Sequence, residues 1–538
     1  MKIKAKSFAV PGIEPGVIVE YQYDEEIKGG GAAGMKLQLQ RDIPVQDMRY
    51  YYRPYNKKKP SYKLYNTKDV SFVEGENGYY LAERRNVTGF DEEPYMPPDD
   101  MVKPWIYLQG TSLSNITYNE NSGSISYTTK DPSKPDKYWG GVAFDYQGIT
   151  KLIKKKEKDV KNLAEQLTTS ESTQEGKLKK LYEYCQNEIK NTTYDTTLTE
   201  EQREDLPKIE SLKDVIKKQQ APSIYVELLF ASMANSLGME SGLALMSDRS
   251  EMFFNPDMTD EDFVSPGAIA VKENDKWKFY NPGVPFLPFG KLVWYEENVW
   301  ALVVLEKGWT FQKTQQSDEK ENLTKRSGNF KLLEDGTLEG KVTIQYFGQN
   351  AVSERLNIYD ESEESRKNEV IGDFTVKATD ARLRNITIEN INDNSKPLVE
   401  TFDVQIPNYA QKTGKRLFFQ PSVFEFGAKP MFSSSQRKYD IYFNFPWSEE
   451  DSMTITYPEG YELDNADAPG ATSDPKQIGK IDIQIAVKKA QREIDVTRKF
   501  HFGSGYNILF QSKVYEPLKN LFDAFSKTDT HTIALKKP

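Results

Sequence analysis

Ala221-Pro-Ser-Ile-Tyr-Val-Glu-Leu-Leu-Phe-Ala-Ser-Met-Ala-Asn-Ser-Leu-Gly238 reads as an apolar helix with both ends marked. Pro222 suits a first helical turn, where no N–H is needed. Gly238 supplies the C-terminal stop. Tyr225, Leu228, Leu229, Ser232, Met233 and Ser236 fall on one face. Just upstream, Ser211 with Asp214 three residues on is a capping-box variant, and Leu212, Val215 and Ile216 point inward from the helix it starts. Downstream, Gly242–Met246, Ala268–Val271 and Trp277–Tyr280 read as strands, the last two joined by a turn at Glu273-Asn-Asp275. The hairpin runs into Asn281-Pro-Gly-Val-Pro-Phe-Leu-Pro-Phe-Gly290. Folding it about its turn sets residue 266 opposite 281 or 282, so Pro266 and Asn281 are expected side by side, facing the helix start at Ser223.

The flanks have a different texture. Residues 1–146 read as all-β, an N-terminal β-sandwich domain. Val17, Val19, Tyr21 and Tyr23 alternate, as do Leu37, Leu39, Arg41, Ile43 and Val45. Ser124–Thr129 and Gly140–Tyr146 are expected to be its last strands, and Gly29–Gly34 a small-residue loop. The chain opens almost directly on a strand, which suggests an incomplete sandwich or a natural start upstream of Met1. Residues 147–310 switch to helical periodicity before the strands of the central unit. Ile149, Leu152, Ile153, Val160, Leu163 and Leu167 suit one helix face. Leu178, Leu181, Tyr182, Cys185 and Ile189 suit another. Residues 311–327 are polar enough to read as a linker. Residues 328–538 return to strands as a C-terminal β-rich domain, expected to be a second sandwich. Its strands are expected at Lys341–Tyr346, Ala381–Ile388, Leu398–Val404, Lys438–Phe445, Met453–Tyr457, Ile481–Val487 and Arg492–Phe500. A short helix at Leu518–Phe525 and a strand at Thr532–Leu535 close the chain. The fold class is α+β and multidomain, in line with 538 residues at roughly 150 per domain.

Composition narrows the function. A net charge of −10 argues against a nucleic-acid partner, which would want clustered Lys and Arg. Lys57-Lys-Lys59 and Lys154-Lys-Lys156 read as solvated faces. No run of about 18 apolar residues exists, so nothing is expected to span a membrane. Met1 is not followed by a signal peptide. Asp91-Glu-Glu93 and Asp99-Asp100 lack the Gly-turn and ligand alternation of a calcium loop. No phosphate-cradling glycine loop is present. Neither a metal nor a cofactor is therefore expected.

With these motifs in their order, the chain resembles the bacterial transglutaminase-like family, in which a papain-like core lies between two β-sandwich domains of unknown function. Phe8-Ala-Val-Pro-Gly12, Asp42-Ile-Pro-Val45, Glu93-Pro-Tyr-Met-Pro-Pro98, Leu228-Leu229 through Leu237-Gly238, Asn281-Pro282 with Pro288-Phe-Gly290, and Asp335-Gly336 with Gly340 carry the resemblance. It covers nearly the whole chain. In active relatives a thiol at the helix start is ionised by the helix N-terminus and a neighbouring imidazole, which a carboxylate orients. Those relatives carry Gly-Asp-Cys where this chain has Ala221-Pro222-Ser223. They carry His where it has Pro266, and Asp-Pro where it has Asn281-Pro282. The resemblance thus implies a degenerate triad and a bacterial envelope or periplasmic setting.

Residue counts agree with that loss. The one cysteine, Cys185, sits mid-stripe in a helix and reads as core. Both histidines, His501 and His531, belong to the C-terminal part. Ser223 would need a base in contact, because a helix dipole worth at most ~2 kcal/mol cannot ionise a hydroxyl. Lys272 and Lys276 read as exposed hairpin residues, which leaves Ser223 a capping residue. The leading expectation is a non-catalytic scaffold, or a module binding peptide or glycan. Alternatives are a hydrolase or transamidase using Ser223, and a purely structural envelope protein. The aromatic candidates beside the cleft are Tyr225, Phe286, Trp294 and Trp300, with core packing as the plainer reading of each.

Overall fold

A computed structural model describes residues 9–24, 34–54, 59–109, 114–119, 124–155 and 157–538. Phe8, the loop at 29–33, Lys57, Lys58 and Lys156 lie outside the described residues. The chain is a multidomain, mixed α/β protein with several separate sheets.

In the N-terminal part, two three-stranded antiparallel sheets enclose a small core. One orders Lys36–Gln38, Trp105–Leu108 and Tyr62–Tyr65; the other orders Val45–Tyr52, Tyr80–Val87 and Val73–Glu74. Leu39, Met48, Phe72, Ala82 and Ile106 fill the space between them. Three expectations fail here. Residues 17–23 form no strand, and Ile18 is 92% exposed, so their alternation finds no sheet to join. The run from Leu37 to Val45 is not one strand but the end of one and the start of another. Gly140–Tyr146 lies inside a helix, Pro135–Lys154, whose buried Tyr138, Trp139, Val142 and Ala143 repeat at helical spacing.

The central part is a five-stranded antiparallel sheet in the order Lys276–Tyr280, Ser265–Glu273, Ser241–Met246, Trp300–Val304, Trp309–Lys313. Side chains alternate across it. Leu243, Leu245, Ile269 and Val271 face the helices; Ala244, Met246, Ala268 and Ala270 face the other way. On the helical face, Ser223–Ser236 is the innermost helix. Val226 through Ala234 are all buried, as befits a helix apolar all round. Pro135–Lys154, Lys158–Leu167 and Gln174–Asn187 pack around it, the first two being separate helices rather than one. The Ser211 capping box forms with Asp214.

The expected linker at 311–327 is not one. Residues up to Lys313 complete the edge strand, and Leu323 begins the next one. Between them Thr314, Ser317 and Asn322 are buried. Polarity suggested exposure there, but each group is paired. Ser317 Oγ donates to Glu297 at 2.8 Å, and Asn322 Nδ2 donates to the Pro446 carbonyl at 2.9 Å.

The C-terminal part holds an eight-stranded sheet. Its order is Arg382–Glu389, Leu398–Ile406, Leu338–Tyr346, Leu323–Leu332, Trp447–Thr456, Glu493–Phe502, Gly479–Lys488, Gly470–Ser473. Only Leu323–Leu332 and Trp447–Thr456 run parallel. A four-stranded sheet (411–413, 416–419, 533–536, 462–465) joins it around one core. The all-strand reading missed two helices, Gly348–Ile358 and Glu363–Lys377, the second capped by Ser362. The final helix is longer than expected, Tyr515–Asp529. Of Lys438–Phe445 only Ile441–Tyr442 is strand.

Candidate functional site

The start of the Ser223 helix is held from outside. A two-residue parallel ladder pairs Gln220-Ala221 with Lys190-Asn191 and brings the 190–193 segment alongside. The Ser223 N–H, one of the helix's unpaired N-terminal donors, reaches Thr193 Oγ1 at 3.0 Å. The Ser223 hydroxyl donates to the Gly283 carbonyl at 3.0 Å and accepts from Asn191 Nδ2 at 3.1 Å. Asn191 Nδ2 also meets the Gly283 carbonyl at 2.7 Å. Both partners are neutral, and neither is a base.

Asn281 is buried, at 3% exposure, and its Nδ2 donates to the Gly267 carbonyl. Gly267, not Pro266, is therefore its neighbour. The cause is the register of the hairpin, closed by the two-residue turn Asn274-Asp275 with Glu273 opposite Lys276; on its other side the strand also carries a β-bulge. Strand Ser265–Glu273 pairs Ala268 with Ala244 but Pro266 with Leu245, so Gly267 is the extra residue. The hairpin register, Ile269 opposite Tyr280, carries Ala268 rather than Pro266 to the level of Asn281.

Two carboxyls fill the space around these residues. Glu227 lies one turn after Ser223 on the same helix and is 5% exposed. A Cβ on Gly283 would come within 2.3 Å of its Oε1, so the carboxyl occupies room that only glycine leaves. Glu296, from the turn Trp294–Glu296, takes the matching room beside Gly267, where a Cβ would stand 2.9 Å from its Oε1. Burial pushes Glu227 up to about 8. Burial raises Glu296 too, and the charge on an ionised Glu227 raises it further. Burial is the cause of the Glu227 shift. Burial thus favours the neutral form of both, and Glu227, at about 8, holds its proton at neutral pH. One oxygen of each, and Asn281 Oδ1, have no hydrogen-bond partner among the described residues.

The loop carrying Asn281 is pinned from behind. Gln186 Nε2 donates to the Val284 and Leu287 carbonyls at 3.0 and 2.9 Å. Asn394 Nδ2, from the C-terminal part, reaches the Pro285 and Leu287 carbonyls at 3.1 Å each. Next to this loop a cleft of about 440 Å³ opens, lined by Asn187, Asn191, Tyr194, Phe286, Tyr359 and Asn394 among others. The Tyr359 ring meets Tyr194 at 5.8 Å and Phe286 at 5.6 Å.

Of the aromatic candidates, only Phe286 lies in this cleft. Tyr225 packs on the helical core, Trp300 lines a different cavity, and Trp294 stands over Arg249. Cys185 is fully buried, and its thiol is pushed well up by burial. His501 sits in the C-terminal sheet between Ser448 and Lys480, and His531 Nε2 contacts the Asp467 carbonyl at 2.7 Å. Neither ring comes to Ser223. No group of three or more His, Cys, Asp or Glu among the described residues is arranged to hold a metal ion. Glu227 was visible in the sequence as the lone charge in its helix. Asn191, Glu296 and Asn394 carried no such signal.

Comparison with known proteins adds little. Residues 415–535 match the family model of DUF3858, a domain of unknown function with solved structures. No curated protein matches the chain. A crystal structure from Parabacteroides distasonis, of a protein described as a "putative protease", is similar at 12% identity with a TM-score of 0.48, covering 93% of this chain and 74% of that one. Among the described residues, no helix is long and apolar enough to cross a membrane.

Proposed function

We propose that this chain is a transglutaminase-like module without the family's catalysis, whose cleft beside Ser223 binds a peptide or glycan strand and leaves it intact. The observation that carries the reading is the company of Ser223: its hydroxyl meets the Gly283 carbonyl and the Asn191 amide, with the buried Glu227 carboxyl one turn along the helix and no imidazole beside it among the described residues. A nucleophile needs a base in hydrogen-bond reach. The lining of the cleft supports binding. The exposed Asn187 amide and the Asn394 Oδ1 can pair with peptide groups or sugar hydroxyls, and the Tyr359, Tyr194 and Phe286 rings offer flat apolar faces. The envelope setting rests on the family resemblance.

The test is a binding titration of oligopeptides and of chito-oligosaccharides against the parent and Tyr359→Ala. Saturable binding of either class is expected, weakened about tenfold or more by loss of a central ring. Binding of neither class, or binding indifferent to Tyr359→Ala and Asn394→Ala alike, would count against the cleft.

A further inference from the structure

A second cavity, of about 360 Å³, lies where the central sheet meets the C-terminal part. Arg249 lines it and is 5% exposed. A guanidinium this buried normally has an anionic partner. Arg249 has none within ion-pair distance among the described residues. Its Nη1 donates to the Tyr442 hydroxyl and its Nη2 to the Tyr506 hydroxyl at 2.9 Å. The rings of Trp294, Tyr442 and Tyr506 pack around it at 5.3–5.8 Å. Glu297 feels its field, but the Glu297 oxygens are taken by Ser317 and Gln349. The Arg249 Nε–H is itself buried and has no hydrogen-bond partner among the described residues.

The rest of the lining has the same polarity. Lys313 stands at the exposed rim, 5.7 Å from the Trp300 ring, and no Asp or Glu lines the cavity. In a chain of net charge −10 this is a concentrated positive site. Tyr442 and Tyr506 accept from Arg249, which leaves their own O–H groups free to donate. Phe253, Phe254, Trp300 and Ile508 supply apolar walls. Tyr506 reaches the site with φ of +61°, a conformation a bulky side chain rarely adopts.

We propose that this cavity binds a planar carboxylate carried on an aromatic or apolar body. The Nη groups, each with one hydrogen beyond its tyrosine bond, offer a carboxylate charge-assisted donors, and the two hydroxyls and Lys313 complete a set rich in donors and poor in acceptors. A bound ligand would touch both parts of the chain and hold them together.

The carboxylate could belong to a free small molecule or to a peptide C-terminus, and the test separates these. 3-Phenylpropionate, its uncharged amide, and a tetrapeptide ending in phenylalanine with free or amidated terminus are titrated into the full chain. Heat and tryptophan fluorescence are read. Saturable binding of an acid form but not its amide is expected. The free acid alone would name a small-molecule source, and the peptide acid a chain end. Arg249→Met should abolish binding. Because that variant removes a contact between the parts, Lys313→Gln at the rim and Tyr506→Phe are run beside it. Each should weaken the acid about tenfold, the worth of one charge-assisted hydrogen bond. Equal binding of acid and amide, no binding of any acid, or folded Lys313→Gln and Tyr506→Phe variants that bind like the parent would overturn the assignment.

Discussion

Replacing Glu227 by glutamine is expected to remove a loss of stability of about 5 kcal/mol that the parent suffers between pH 4.5 and pH 8. The sign follows from where the proton sits. In that window the folded chain keeps Glu227 protonated, because ionising it inside the core would strand a charge, whereas the unfolded chain has released the proton. Stability therefore falls as pH rises, by about 1.4 kcal/mol per pH unit for this one group. Below pH 4.5 both states are protonated and the group contributes no slope. Above pH 8 both are ionised and the curve levels off. Glutamine keeps the shape and cannot titrate. The difference between Glu227→Gln and the parent should thus be small at pH 4.5 and grow to several kcal/mol at pH 8. Glu296 is raised as well, so a residual decline persists in the variant. Urea midpoints at several pH values, followed by tryptophan fluorescence, measure the difference. Parallel curves would mean that Glu227 is ionised in the folded chain.

Arg498→Met is expected to cost about 3–5 kcal/mol or to prevent folding of the C-terminal part. Arg326, Asp451 and Arg498 are direct neighbours across three central strands of the eight-stranded sheet. Arg326 holds Asp451 at 2.7 Å, Glu449 at 2.9 Å and Glu425 at 2.8 Å. Arg498 holds Glu449 and Asp529, each at 2.6 Å. Lys377 adds the third cation, 2.8 Å from Glu425. Four carboxyls, Asp451 buried and the other three half-buried, thus share three cations. Methionine would fill the volume of Arg498 but leave Asp529 with no partner and Glu449 with half its own. Replacing a whole buried network by apolar residues can be neutral; removing one member leaves charge without compensation. Thermal melts of the parent and the variant, with Lys488→Gln as an exposed control at 50% side-chain exposure, give the comparison. A melt like the parent's would show that the network contributes little.

Legibility in the sequence tracked how local the causes were. The Ser211 capping box, the Gly238 stop and the hairpin at Glu273-Asn-Asp275 depend on a few adjacent residues, and they stand where expected, with Asn274 and Asp275 at positive φ. The register beside Asn281 is set by the two-residue turn Asn274-Asp275, which carries Ala268 and not Pro266 to that level. Residues 17–23 alternate like a strand but pair with no strand among the described residues. The Gly348–Lys377 helices are polar on most sides, with a single buried residue, Val370, in the second, so their apolar period is faint. Thr314, Ser317 and Asn322 looked like linker because polarity was read as exposure. Their burial depends on partners that include Pro446, more than a hundred residues away. At the candidate site, the place of the one cysteine and of both histidines away from Ser223 was legible from their positions in the sequence. The paired carboxyls were not, because Glu296 reaches the site only through the fold.

Intact-mass analysis after incubation with a fluorophosphonate probe tests the absence of a working nucleophile most directly, with Ser223→Ala as the control. The Ser223 hydroxyl is engaged by Gly283 and Asn191 and has no base beside it, so the predicted result is an unmodified mass for both proteins. A single probe adduct on the parent, absent from Ser223→Ala, would contradict the account.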